Sequence, residues 1–104
     1  MIVWVVRFWV DKGKESDYAK LGKEVSLPSI HRIPGLIEMR GYRNWTTDQV
    51  QIEYEFESLQ AWAKYMEDPK SVASWEQFKS NVHGITSELL GPGLLTPEPI
   101  RAKK

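Results

Sequence analysis

The chain has 104 residues, enough for one domain with a modest hydrophobic core. Its 14 Lys and Arg residues balance its 14 Asp and Glu residues, so no overall charge favours nucleic acid or an anionic membrane as a partner. The lack of cysteine excludes disulfides, thiolate zinc sites and a cysteine nucleophile, and we expect a cytoplasmic protein. The apolar stretch at residues 2–10 is too short to span a bilayer and lacks the flanking features of a signal peptide.

Residues 2–10 predict a first β-strand with two apolar faces. The even-numbered side chains from Ile2 to Val10 form one face, and Val3, Val5 and Trp9 lie on the other. Apolar residues on both faces are typical of a central strand that is covered on both sides.

A helix is predicted next, from about Lys14. Apolar residues recur there at spacings of three and four, as in an amphipathic helix. Because proline lacks an amide donor, we expect this helix to end before Pro28. The irregular stretch that follows contains His31, which we interpret as a surface residue.

Residues 34–57 predict a β-hairpin on which the rest of the chain packs. In its second half, polar residues alternate strictly with the apolar residues Val50, Ile52, Tyr54 and Phe56. The polar stretch at residues 44–48 supplies the connection between the two strands.

Two further helices and a last strand complete the predicted chain. Ser58 is a suitable N-cap for one helix, and Asp68-Pro69 interrupts it and starts another. The second of these helices is predicted to end near His83-Gly84, and residues 85–90 to form the last strand.

The resulting order, β-α-β-β-α-β, predicts a ferredoxin-like α+β fold. In this fold a four-stranded antiparallel sheet carries its helices on one face. We expect a single domain over residues 1–96 and a loosely ordered C-terminal tail over residues 97–104.

The sheet face away from the helices is predicted to mix apolar and charged side chains. Its apolar members are Val3, Val5, Trp9, Leu36 and Tyr42. Soluble monomers usually avoid such a patch, so we expect a homodimer in which two sheets pack face to face into an α/β barrel. An ion network at the seam is then predicted for Arg7, Arg40, Glu53 and Glu55. The alternative is an ordinary open sheet with a solvated face.

The hairpin and the helices after it resemble the antibiotic biosynthesis monooxygenase-like superfamily of dimeric α/β barrels. The resemblance rests on Pro34-Gly35, on Y-E-F-E-S-L-Q-A-W at residues 54–62, and on D-P-K-S at residues 68–71. It covers residues 2–95, and the superfamily includes cofactor-free oxygenases, haem-degrading enzymes and isomerases.

The resemblance also implies positions for the active residues. Oxygenases of this superfamily that act on polyketide phenols use an Asn, a Trp, a Tyr and an Arg, and the aligned positions here hold Ile52, Phe56, Trp62 and Trp75. In the haem-degrading branch an axial His follows a Trp by ten residues. Here Val72 follows Trp62 by ten, and His83 follows Trp75 by eight.

Several residues are candidates for chemistry. His83 is the candidate base or alternatively caps a helix, and Tyr54 could orient a substrate or donate a proton. No acidic residue at helical spacing accompanies either histidine, so no metal site is predicted. A pocket for a flat apolar substrate would be lined by Trp4, Phe56, Trp62 and Trp75, which alternatively fill the core.

The favoured hypothesis is a cofactor-independent, monooxygenase-like enzyme that acts on a small apolar or aromatic molecule. Its chemistry would need no bound metal or flavin. One alternative is a non-catalytic ligand-binding or structural homodimer, and another is a haem-binding protein with His83 as axial ligand. No nucleic acid or membrane partner is expected.

Overall fold

The structure, a computed structural model that describes residues 1–102, has the predicted ferredoxin-like α+β fold. Four strands form one antiparallel sheet in the order β2-β3-β1-β4. The strands are β1 (Ile2–Val10), β2 (Leu36–Arg43), β3 (Val50–Phe56) and β4 (Val82–Leu90). Within residues 1–102, no helix is long and apolar enough to cross a membrane.

The helical segment after β1 runs further than predicted. Helix α1 (Glu15–Leu21) passes into a π-helical turn (Gly22–Ser26), then into α2 (Leu27–Ser29) and a 3-10 turn (Ile30–Arg32). The prediction that the helix ends before Pro28 is wrong. Pro28 follows the π-helical turn, in which the Leu27 amide bonds the Gly22 carbonyl, and the chain stays helical through it to Arg32.

Helices α3 (Leu59–Glu67) and α4 (Pro69–Lys79) begin at the predicted caps. The Ser58 hydroxyl accepts a hydrogen bond from the Ala61 amide at 3.1 Å. The Asp68 carboxylate accepts one from the Ser71 amide at 3.0 Å, with Pro69 at the first helical position. Each cap satisfies a backbone donor that the helix itself cannot pair.

The core lies between the helices and one face of the sheet, as the strand patterns predicted. In β1 and β3, Phe8 and Phe56 are fully buried, and Trp4, Val6 and Tyr54 are nearly so. β1 is central, since it pairs with β3 on one side and with β4 on the other. The alternation of apolar residues therefore placed the correct face inward.

The predicted start of the last strand is wrong. Helix α4 ends at Lys79, and β4 begins at Val82 rather than at residue 85. His83 therefore lies in a strand, opposite Trp9, and not at a helix end. Gly84, the glycine that suggested a helix terminus, has a positive φ of 64° and lies where the β1–β4 register shifts.

The predicted position of Leu36 is also wrong. A register shift between Leu36 and Glu38 pairs Leu36 with Phe56, and Leu36 packs against the core. The rest of β2 keeps the predicted alternation, with Glu38 and Arg40 opposite Glu55 and Glu53. The extra residue, Ile37, breaks the two-residue period, which sequence alternation alone does not reveal.

Residues 91–102 follow β4 and contain no helix or strand. All of them are exposed, including Leu94, Leu95 and Ile100. Residues 103 and 104, the end of the predicted tail, lie outside the described residues.

Candidate functional site

The aromatic residues predicted to line a pocket do converge. β1 and β3 place Trp4 opposite Tyr54, with ring centroids 5.4 Å apart. Helices α3 and α4 bring Trp62 and Trp75 to Trp4, at centroid distances of 6.4 Å and 5.2 Å. We call Trp4, Tyr54, Phe56, Trp62, Tyr65 and Trp75 the aromatic cluster.

Tyr65 is the member of the aromatic cluster that sequence reasoning missed. Its ring lies 5.6 Å from Phe56 and 6.2 Å from Trp4, and its hydroxyl accepts a hydrogen bond from Trp75 Nε1 at 2.8 Å. Of the other large apolar side chains of α3, Leu59 and Met66 are exposed. Tyr65 follows Trp62 by three residues, which puts both side chains on the same face of a helix. This spacing could have identified Tyr65 as a member of the cluster.

The tyrosines of the cluster are donors rather than bases. Burial raises the pKa of Tyr54 strongly, and burial also raises the pKa of Tyr65. Both phenols are therefore neutral near pH 7. Trp62 Nε1 is buried and has no hydrogen-bond partner within the described part of the chain. An unpaired buried donor costs about 1–3 kcal/mol, so an acceptor oxygen brought there would be stabilising.

The raised pKa of Tyr54 predicts a loss of stability at alkaline pH. Above about pH 10 the unfolded chain loses this phenol proton while the folded chain retains it. The unfolded state then binds fewer protons, so the free energy of unfolding falls as pH rises, by up to about 1.4 kcal/mol per pH unit. We expect Tyr54→Phe to make this fall less steep in urea titrations.

The matched control for that titration is Tyr42→Phe, because Tyr42 is exposed on the other face of the sheet. Equal slopes for the wild type and Tyr54→Phe would contradict the assignment.

His83, the predicted base, lies on the face of the sheet opposite the aromatic cluster. Its Nδ1 is 2.6 Å from Asp11 Oδ1, and its ring stacks on Trp9 with centroids 6.0 Å apart. Trp9 also packs on Gly84, where an added Cβ would lie 2.7 Å from the indole. The structure therefore does not bring His83 and Tyr54 together, because their register positions alternate to opposite faces.

An open groove of ≈ 650 Å³ lies between residues 27–33 and strand β2, and we call it the β2 groove. Ile33, Leu36 and Met39 line it and also pack against the core. Met39 is opposite Tyr54 in the sheet, so the groove adjoins the aromatic cluster. The residues around it are Leu27, Ile30, His31, Ile33, Leu36, Ile37, Glu38, Met39 and Gly41.

A second, smaller groove of ≈ 340 Å³ lies against α1 and the end of α4. It is mostly polar and charged, with Lys14, Asp17, Glu24 and Gln77 among its lining residues. Across residues 1–102, no group of three or more His, Asp or Glu side chains could hold a metal ion.

The sheet face away from the helices carries a connected set of charges. Arg40 contacts Glu38 at 2.8 Å, Glu53 at 3.2 Å and Glu55 at 3.3 Å. Arg7 pairs with Glu88 instead of these carboxylates, and Gln51 bridges the two groups with bonds to Arg7 and Glu53. Between the charged side chains, Val5 is only 2% exposed. We call this surface the open sheet face.

Comparison with known proteins places this geometry in context. No family profile matches the sequence, and no curated protein resembles it in sequence. Solved structures do resemble the fold. A Deinococcus radiodurans protein, provisionally assigned as an antibiotic biosynthesis monooxygenase, superimposes with a TM-score of 0.80 at 11% identity, over 100% of both chains.

Two Streptomyces proteins also share the fold. The ActVA-Orf6 monooxygenase of Streptomyces coelicolor, solved with nanaomycin D, gives a TM-score of 0.75 at 21% identity, over 99% of this chain and 92% of that one. SnoaB of Streptomyces nogalater, a cofactor-independent oxygenase, gives 0.70 at 17% identity, over 93% and 97%. The chain shares the fold of these three proteins.

The fold shows where the four positions that the family resemblance implied lie in the structure. Ile52 and Phe56 lie on the core side of β3, and Trp62 and Trp75 project from α3 and α4 against Trp4. All four positions thus face the space between helices and sheet. In this chain that space is occupied by the rings of the aromatic cluster, and the open volume lies beside it, in the β2 groove.

Proposed function

We propose that the protein is a monooxygenase-like enzyme that binds a small, flat, apolar molecule in the β2 groove. The observation that carries the proposal is the groove itself, whose lining includes Ile33, Leu36 and Met39, three apolar side chains that also pack against the core. Ligand sites are typically concave, mostly apolar and equipped with few polar groups. The proposal is supported by the fold, which the chain shares with a monooxygenase and a cofactor-independent oxygenase.

In this proposal the aromatic cluster lies on the core side of the β2 groove and supports the binding site there. Met39 is paired with Tyr54, so a molecule seated against Met39 lies next to the cluster. Trp4, Phe56, Trp62 and Trp75 then pack behind the groove as part of the core and its shell. The reaction would use no resident metal or flavin, so the bound substrate itself would supply electrons to dioxygen.

Gly41→Leu is expected to weaken binding at least about tenfold, because Gly41 lines the groove and a leucine side chain there would take up part of the space for the ligand. An added Cβ at Gly41 meets nothing within 4 Å, so the substitution leaves the core intact. Calorimetric titration with 1,5-dihydroxynaphthalene measures the effect. Gly22→Leu is the matched control, since Gly22 is equally unobstructed and lies outside the groove. Equal affinities for the two variants would contradict the site.

Oxygen uptake separates the enzyme from the non-catalytic alternative. Oxidation of 1,5-dihydroxynaphthalene to its hydroxyquinone consumes one O₂ and releases one water. We expect protein-dependent uptake that Gly41→Leu lowers at least about tenfold when the substrate is below saturation. Binding without uptake would instead favour a ligand-binding protein.

Haem binding through His83 has less support. The His83 side chain is 62% exposed and contacts Asp11 and Trp9. It lines neither of the two grooves. A Soret band that shifts in His83→Ala would reinstate that function.

We also propose that the protein is a homodimer through the open sheet face. Arg7 and Arg40 are already paired within the chain, so burying this face against a second copy leaves neither cation without a partner. Leu90, opposite Val3 in β4, is 47% exposed and would be covered.

Leu90→Glu is expected to dissociate the dimer, because an unpaired carboxylate would be buried at the seam. Sedimentation equilibrium measures the mass. The matched control is Leu59→Glu on α3, where the leucine is 53% exposed and lies on the helical side. A wild type that is monomeric at all concentrations would contradict the dimer.

A further inference from the structure

The smaller groove, between α1 and the end of α4, has a lining unlike that of the β2 groove. We call it the polar groove, and its volume is ≈ 340 Å³. Two lysines and two carboxylates line it, so these side chains carry no net charge: Lys14, Asp17, Lys20 and Glu24. Because specific recognition depends on complementary charge, a balanced lining favours a ligand that carries both signs over a simple anion or cation.

The polar groove also contains a buried amide. Asn81 lines it from the connection between α4 and β4 and is only 8% exposed. The Asn81 backbone is fully paired, since its amide bonds the Phe78 carbonyl at 3.0 Å and its carbonyl accepts from the Asp11 amide at 2.8 Å. Its side-chain amide has no hydrogen-bond partner among the residues that the structure describes. A ligand oxygen in the groove would supply the acceptor that this donor lacks.

Two of the four charges of the polar groove have no partner in the described chain. Lys14 and Asp17 pair with each other at 3.8 Å. Lys20 and Glu24 make no ion pair within residues 1–102, although they lie four residues apart on one helical segment. Lysine before glutamate is the less favourable order for such a pair. The polar groove therefore offers an ammonium and a carboxylate to a ligand.

The backbone that carries Glu24 is of an uncommon kind. Gly22–Ser26 is a π-helical turn, and single π-helical turns within helices are rare and frequent at functional sites. The turn contributes Glu24 and Val25 to the polar groove. Val25 is 36% exposed, and Leu21, which also lines the groove, packs against the core. The groove thus has an apolar part next to its two unpaired charges.

We propose that the polar groove binds an α-amino acid with an aliphatic side chain. The ligand carboxylate pairs with the Lys20 ammonium and accepts a hydrogen bond from the Asn81 side chain. The ligand ammonium pairs with the Glu24 carboxylate, and the aliphatic side chain packs on Leu21 and Val25. Because this site is separate from the β2 groove, the inference does not depend on the proposed function.

The test titrates the ¹⁵N-labelled protein with L-leucine and with two analogues that each lack one charge. Leucinamide lacks the carboxylate, and 4-methylpentanoate lacks the ammonium. We expect leucine to cause saturable shifts of the Asn81 side-chain amide and of the Glu24 and Ser80 backbone amides. Each analogue should bind at least about tenfold more weakly than leucine, because it leaves one charge of the groove without a partner.

Two substitutions of exposed residues assign the charges without changing the core. Lys20→Gln should weaken leucine binding about tenfold and leave the affinity for leucinamide unchanged. Glu24→Gln should weaken leucine binding to a similar degree and leave the affinity for 4-methylpentanoate unchanged. Lys23→Gln and Glu67→Gln are the matched controls, since both residues are exposed and lie outside the polar groove.

Equal affinities for leucine and either analogue would show that the polar groove does not recognise both charges, and the inference would be wrong. Shifts confined to the β2 groove would overturn it as well, and so would a spectrum that leucine leaves unchanged up to its solubility limit. None of these results bears on the proposed function, which Gly41→Leu tests separately.

Discussion

Replacing Trp4 by alanine is expected to lower the free energy of unfolding by about 3–5 kcal/mol. Trp4 is 6% exposed, and its indole lies against Tyr54, Trp62, Tyr65 and Trp75 at centroid distances of 5.2–6.4 Å. Its removal leaves a cavity at the centre of the aromatic cluster, and the remaining rings, which lie on one strand and two helices, cannot all move in to close it. Urea denaturation measures the loss.

Trp45→Ala is the matched control for this substitution. Trp45 lies in the β2–β3 turn and is 90% exposed, so its removal should change the free energy of unfolding by less than about 0.5 kcal/mol. A Trp4→Ala protein as stable as Trp45→Ala would show that the cluster does not hold the fold together.

Gly35→Ala is expected to cost about 2–4 kcal/mol from two separate causes. Gly35 has a φ of 79°, in the left-handed region that disfavours a side chain. An added Cβ would also lie 2.5 Å from the Ala61 Cβ, so β2 and α3 would have to move apart. The same movement would disturb the hydrogen bond from the Glu57 amide to the Gly35 carbonyl, at 2.8 Å.

Gly13→Ala separates these causes. Gly13 has a φ of 86°, but an added Cβ there meets nothing within 4 Å. Its substitution should cost only the backbone strain, about 1 kcal/mol. If both variants lose the same stability, close packing of β2 against α3 is not what requires glycine at residue 35.

Much of the fold could be predicted because local signals agreed with it. The strict alternation of Val50 to Phe56 fixed the inward face of β3, and the caps at Ser58 and Asp68 fixed the helix starts. The errors occurred where a local sequence signal conflicted with the pairing of β-strands in the folded chain. Gly84 resembles a helix terminus, but in the sheet it lies beside the Trp9 ring.

The candidate site was less predictable, since it depends on how elements meet. The sequence pattern identified the aromatic cluster but not whether its rings surround a space or fill it. The β2 groove arises because the helical segment continues past Pro28 and a bulge after Leu36 turns that side chain inward. Neither event has a two- or 3.6-residue period, so the sequence contained no sign of a groove beside His31, which is exposed as predicted.

The most direct test of the β2 groove as a binding site is the amide spectrum of the ¹⁵N-labelled protein during titration with 1,5-dihydroxynaphthalene. We predict saturable shifts at Ile30, Ile33, Met39 and Gly41, with much smaller ones at Arg7 and Glu88 on the open sheet face. Shifts confined to the open sheet face, or a spectrum that does not change up to the solubility limit of the compound, would contradict the proposed function.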